Sequence, residues 1–128
     1  FINAGHESIL TFDQNKNYEY IKSEMPPIGI VKYFTESMVK STTMNLKEKT
    51  FVVYTDGVTE GYLKNGEELG AEGVQKIIDN MPEVTPKSIV ESIEKELNWG
   101  AEKLRDDITC MAINIKNTEL IKKSIKKS

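Results

Sequence analysis

The sequence has one cysteine, one histidine and, among its 17 basic residues, one arginine. The lone cysteine, Cys110, excludes an intramolecular disulfide and a multi-cysteine zinc cage, and it fits a reducing compartment. With only Arg105, no multi-arginine phosphate clamp can be built. A net charge of −3 argues against a general nucleic-acid binder. No apolar run approaches the roughly 18 residues that span a bilayer. Eight glycines and four prolines are ordinary numbers, so collagen-like and low-complexity readings fall away. An initiator methionine is absent, as is the charged segment and cleavage site of a secretory signal. The chain therefore reads as a fragment or processed chain that begins inside a domain. Its 128 residues are enough for one buried core and too few for two.

What is present is β-rich at first. Residues 1–6 read as a strand. Ile9-Leu10-Thr11-Phe12 and Tyr18-Glu19-Tyr20-Ile21 flank a polar cluster at residues 13–17, which predicts an antiparallel hairpin. Pro26-Pro27 interrupts the pattern and predicts a loop over residues 25–29. Residues 31–46 hold Thr35, Val39, Thr42 and Thr43 and lean to strand. Phe51-Val52-Val53-Tyr54 is the most continuous β-branched and aromatic run and predicts a central strand.

Two helices follow. Val74, Ile77, Ile78 and Met81 fall on one stripe, and Pro82 stops the helix. Thr85 and Pro86 are suited to the cap and first turn of the next helix, whose stripe is Ile89, Val90, Ile93 and Leu97, with Gly100 as its stop. Residues 107–115 are apolar on both faces and predict an internal strand. The last 13 residues hold five lysines and one glutamate, a net +4 that leaves −7 for the first 115. They read as a solvated basic tail or a short helix.

Three clusters could carry chemistry. Asp56 sits at the end of the central strand, where a carboxylate is held rigidly yet can face a cleft, and Gly57 allows close approach. Asp-Gly is equally a type I′ hairpin signal, which predicts a second strand at once. Asp106-Asp107 precedes the last strand. Adjacent carboxylates are costly unless solvated or facing a cation, and hard divalent ions take carboxylate oxygens. Strand alternation points only one of the two into any given site, and the competing reading is a solvated loop. Asn3-Ala4-Gly5-His6 holds the sole histidine, a candidate acid, metal ligand or hydrogen-bonded structural residue.

Taken in order, these segments resemble a known family. Phe1-Ile2-Asn3-Ala4-Gly5-His6, Pro27-Ile28-Gly29, Phe51-Val52-Val53-Tyr54-Thr55-Asp56-Gly57-Val58-Thr59-Glu60, Asn65-Gly66-Glu67-Glu68-Leu69-Gly70 and Arg105-Asp106-Asp107-Ile108-Thr109 are similar to the C-terminal part of the PPM-type, metal-dependent serine/threonine phosphatases. Within them they resemble the bacterial branch of the sporulation stage II protein E and RsbU-like sigma-factor regulators. The resemblance spans residues 1–116 and leaves 117–128 as the tail.

It implies an α+β fold of two antiparallel sheets packed as a sandwich with flanking helices, and two Mn²⁺ or Mg²⁺ ions in the cleft between the sheets. It implies that Asp56 and Asp106 bind metal and that Asp107 supports or caps. Asn3, His6 and Gly57 would lie close by in supporting roles. Ile28-Gly29 matches the family's Leu-Gly pair. A metal-bound hydroxide would then attack phosphorus in line while the serine or threonine oxygen leaves.

The implied partner is a phosphoprotein, such as a phosphorylated anti-sigma-factor antagonist. The family's early aspartate and Gly-His-Gly type loop are missing from this sequence. The 128 residues alone are therefore expected to turn over little, to bind metal weakly and to self-associate through open edges. Two alternatives stand beside the enzyme reading. One is a truncated or inactive module that serves as an interaction or dimerisation surface. The other is a generic α+β domain whose acidic clusters are solvated turns.

Overall fold

The structure is a computed structural model and describes residues 1–97 and 107–116. Arg105, Asp106, the Gly100 stop and the basic tail lie outside the described residues.

The β-branched and aromatic run forms β3 (Thr50–Tyr54), which follows β1 (Ile9–Phe12) and β2 (Tyr18–Ile21). β4 (Cys110–Asn114) completes an antiparallel sheet in the order β2-β1-β3-β4. β3 is central: Leu10 faces Val52 on one side, and Ala112 faces Val52 on the other. Three helices complete the fold, a short α1 (Asp56–Thr59), α2 (Gly70–Asp79) and α3 (Pro86–Leu97).

Alternation sorts the sheet into two faces. Leu10, Phe12, Val52 and Tyr54 point to one side and meet Val74 and Ile78 of α2 and Ile89, Ile93 and Leu97 of α3, all buried. Ile77 and Met81, expected on the same stripe, are only partly buried at its rim. Val90 is also half-buried. The cap of α3 is reciprocal: the Ser88 amide donates to Thr85 Oγ1 at 3.0 Å and the Thr85 amide donates to Ser88 Oγ at 2.9 Å.

The hairpin turn is tied to the other end of α2. The Asp13 carboxylate accepts from the Asn17 side chain at 2.8 Å and from the amides of Asn15 and Asn17, which holds its pKa below the usual carboxylate range. Lys16, in the left-handed region at φ 59°, donates its ammonium to the carbonyls of Ile78 and Asp79. A cation thus meets the carbonyl end of the helix.

The opposite face of the sheet is mostly apolar; Thr11 is fully buried on it, while its β4 part is exposed. Phe51 and Val53 are half-buried there, while Met111 and Ile113 are 51% and 39% exposed. The α+β class, an antiparallel sheet flanked by helices, is the expected one. Among the described residues the sheet is single, and this outer face has the character of one that packs on a second sheet. β4 is accordingly at the sheet edge among the described residues rather than internal.

Two expected strands do not form. Residues 1–6 make only a single bridge, Ala4 to Met25, because Gly5 turns the chain at φ 77°. Residues 31–46 hold a 3-10 turn, Glu36–Met38, and a lone reciprocal backbone pair between Phe1 and Thr42. β-branched residues favour a strand only where a ladder partner and a packed face exist, and here Tyr33, Val39 and Leu46 are exposed. Among the described residues no helix is long and apolar enough to cross a membrane.

Burial pushes the Tyr54 phenol up to about 12 and the Cys110 thiol up to about 11. Both groups are held neutral in the fold. Their contribution is complete below the ordinary values of 9.0 for the thiol and 10.0 for the phenol, and is lost as pH rises through the folded values. The Tyr54 hydroxyl is also buried, with no hydrogen-bond partner among the described residues. Tyr54→Phe is therefore expected to match or exceed the wild type by about 1 kcal/mol at neutral pH. It should also lose less stability above pH ~10. Urea denaturation at both pH values measures this, and a large loss in the phenylalanine variant at neutral pH would refute the orphaned hydroxyl.

Candidate functional site

Antiparallel register gathers four chain junctions at one end of the sheet. Ile9 pairs with Ile21, Leu10 with Val52, and Tyr54 with Cys110. Hence the entry to β1, the exit from β2, the exit from β3 and the entry to β4 are neighbours. These junctions carry His6, Ser23, Asp56 and Asp107 respectively.

Asp56 opens α1 directly after β3. Its carbonyl accepts from the Glu60 amide at 2.8 Å and the Thr59 hydroxyl at 3.2 Å, which fixes the backbone while the residue stays exposed. Among the described residues its carboxylate makes no hydrogen bond or ion pair. The hairpin alternative for Asp56-Gly57 does not hold, because the chain enters a helix and no second strand follows. Gly57 is buried within that helix, and its φ is not positive, so its conformational freedom is not what the site uses.

Thr55, which the sequence reading passed over, joins this junction to the next. Its amide donates to the Thr109 carbonyl at 3.0 Å, and its hydroxyl accepts from the Thr109 amide at 3.2 Å. The same hydroxyl lies 3.3 Å from the Asp107 carbonyl and 3.5 Å from that of Thr109. The backbone of exposed Asp107 is thereby fastened beside the residue that precedes Asp56. The signal for Thr55 was a hydroxyl one position beyond a central strand, which alternation alone does not single out.

Asn3 is almost fully buried, at 9% exposure. Its Oδ1 accepts from the His6 amide at 2.9 Å and its Nδ2 donates to the Glu7 carbonyl at 3.3 Å. His6 is exposed, with ring Nδ1 3.1 Å from the Glu7 carbonyl. A Cβ on Gly5 would collide with the Pro27 ring, which explains the small residue between Asn3 and His6. Ile28 and Gly29 lie in the same loop as Pro27, both exposed, with Gly29 at φ 96°.

A hard divalent ion requires several oxygen ligands. Asp56 supplies one, an exposed carboxylate with no competing partner among the described residues. The described residues contain no group of three acidic, histidine or cysteine side chains close enough to hold a metal. The donor chemistry fits Mn²⁺ or Mg²⁺, and the described part of the site is incomplete.

The model of the family described as stage II sporulation protein E (SpoIIE) matches residues 1–116. No curated protein matches. Among solved structures, the PP2C domain of SiaA from Pseudomonas aeruginosa aligns over 88% of this chain and 44% of its own, at 20% identity and a TM-score of 0.61. The PP2C phosphatase domain of SpoIIE from Bacillus subtilis, with a fragment of its regulatory domain, aligns over 90% and 33%, at 16% identity and 0.65. A structure of that phosphatase domain presoaked with manganese aligns over 89% and 48%, at 17% identity and 0.58. The chain thus spans between a third and a half of the length of these structures.

Thr55→Val keeps the strand-forming shape and removes the hydroxyl. It is expected to cost about 1 kcal/mol. Hydrogen exchange should accelerate at the Thr109 amide and leave the centre of β3 protected. Unchanged exchange at Thr109 would show that the hydroxyl does not fasten the two junctions.

Proposed function

The chain belongs to the stage II sporulation protein E family, and from that premise we propose that it is the C-terminal portion of a metal-dependent protein serine/threonine phosphatase domain. The observation that carries the reading is the meeting of the Asp56 junction with the Asp107 junction through Thr55. Asp56 and Asp106 would hold the cation. Mn²⁺ or Mg²⁺ supplies, when bound, a water of lowered pKa and neutralisation of phosphoryl charge.

The chain's own residues do the positioning. α1 fixes the backbone of Asp56, and its exposed carboxylate, unpartnered among the described residues, is left for a cation. Thr55 sets the spacing between the two acidic segments. Asn3 holds the turn that carries His6. Asp107, one residue beyond Asp106, would by strand alternation face the other way and serve in support. The substrate is a phosphoserine or phosphothreonine on a regulatory phosphoprotein of the sigma-factor type, and the reaction takes place in the cytoplasm.

A phosphopeptide assay with added Mn²⁺ tests this. The complete phosphatase domain should turn over, and Asp56→Asn within it should lower kcat by at least about a hundredfold, since even the outer-shell partners of metal ligands are worth about 10- to 100-fold. The 128 residues alone should show little turnover, since the ligand set is incomplete. Turnover that ignores Asp56 would overturn the assignment.

A further inference from the structure

Ser23 is not assigned any part in the site above, yet its hydroxyl has four hydrogen-bonding contacts at this end of the sheet. Its Oγ accepts from the Gly5 amide at 2.7 Å and faces the Met25 amide at 3.4 Å. Its single proton can go to the Asn3 carbonyl at 2.9 Å or to that of Met25 at 2.7 Å. One hydroxyl, at the exit of β2, therefore joins the turn before β1 to the loop after β2.

The turn it holds is tightly specified. Gly5 stands at φ 77° with Pro27 packed where a Cβ would be, so the turn and the loop are in contact. Asn3 Oδ1 takes the His6 amide. His6 Nδ1 then lies 3.1 Å from the Glu7 carbonyl. A carbonyl only accepts, so in the neutral ring Nδ1 carries the hydrogen and Nε2 keeps the lone pair.

We propose that Ser23 is a positioning residue: by fixing the Asn3-to-His6 turn, its hydroxyl holds the His6 imidazole in one tautomer, with Nε2 as the available acceptor at the sheet end that bears Asp56. The effect on turnover rests on the phosphatase reading. The effect on the ring rests on the hydrogen bonds alone.

The two parts are separated by two measurements. His6 is the sole histidine of the 128-residue chain. Its ring nitrogens therefore give a single set of peaks in a long-range proton–nitrogen correlation spectrum. The wild type is expected to show the Nδ1–H form, Ser23→Ala an averaged pattern, and Ser23→Thr, which retains a hydroxyl, the wild-type pattern. Ser23→Cys keeps the volume and weakens the bonds, and reads the same spectrum if the alanine variant does not fold.

In the complete domain, Ser23→Ala should lower kcat by about ten- to a hundredfold with KM unchanged, the scale of a misplaced catalytic environment. Ser23→Thr should restore it. An Nε2–H wild type, an unchanged ring in Ser23→Ala and Ser23→Cys, or a changed ring with full kcat each overturns the proposal. Asp56→Asn is the control: if it leaves turnover intact, the phosphatase reading fails, while the ring spectra still decide whether Ser23 sets the tautomer.

Discussion

The arrangement depends on the antiparallel pairing of β3 with β4, extended by one step through Thr55. The pairing of Tyr54 with Cys110 means that the residues just beyond β3 and just before β4 must be neighbours. Thr55 then fastens them with bonds to Thr109 from both its amide and its side chain. Two acidic segments about fifty positions apart in sequence are thereby brought to one rim. Like charges are costly at short range, so such a rim is stable only where water or a cation faces it.

The other two junctions follow from the same geometry. β1 pairs with β3 and β2 with β1, so the turn bearing His6 and the exit bearing Ser23 lie at that rim too. The helices pack on one face, where Tyr54, Val52 and Leu10 meet Ile78 and Ile93. The opposite face, with Phe51, Val53, Met111 and Ile113, remains apolar. A sheet with helices on one face and a mostly apolar, partly exposed second face is half of a sandwich in its physical character.

Much of this was legible from local pattern. The hairpin around residues 13–17, β3, both long helices and the Thr85 cap follow from periodicity, turn chemistry and capping, because each is decided by near neighbours. Residues 31–46 were not legible: Thr35, Val39, Thr42 and Thr43 favour a strand, but a strand exists only through a backbone partner, and among the described residues only Phe1 makes a reciprocal backbone pair there. The edge position of β4 was hidden for a related reason, since an apolar outer face reads alike whether a strand lies inside a sheet or beneath a second layer. At the site, Asp56, Asn3 and His6 drew notice by residue type. Thr55 and Ser23 did not, because a hydroxyl gains its meaning from the backbone groups that fold up around it.

The central claim is that the Asp56 and Asp106 segments form one cation site. Substoichiometric Mn²⁺ added to the isotope-labelled chain broadens amide resonances near the bound ion, even when binding is weak. The account predicts that amides at residues 55–57 and at 107–109 broaden together and ahead of the rest. Broadening confined to one of these segments, or centred on other acidic positions such as Glu67 and Glu68, would contradict it.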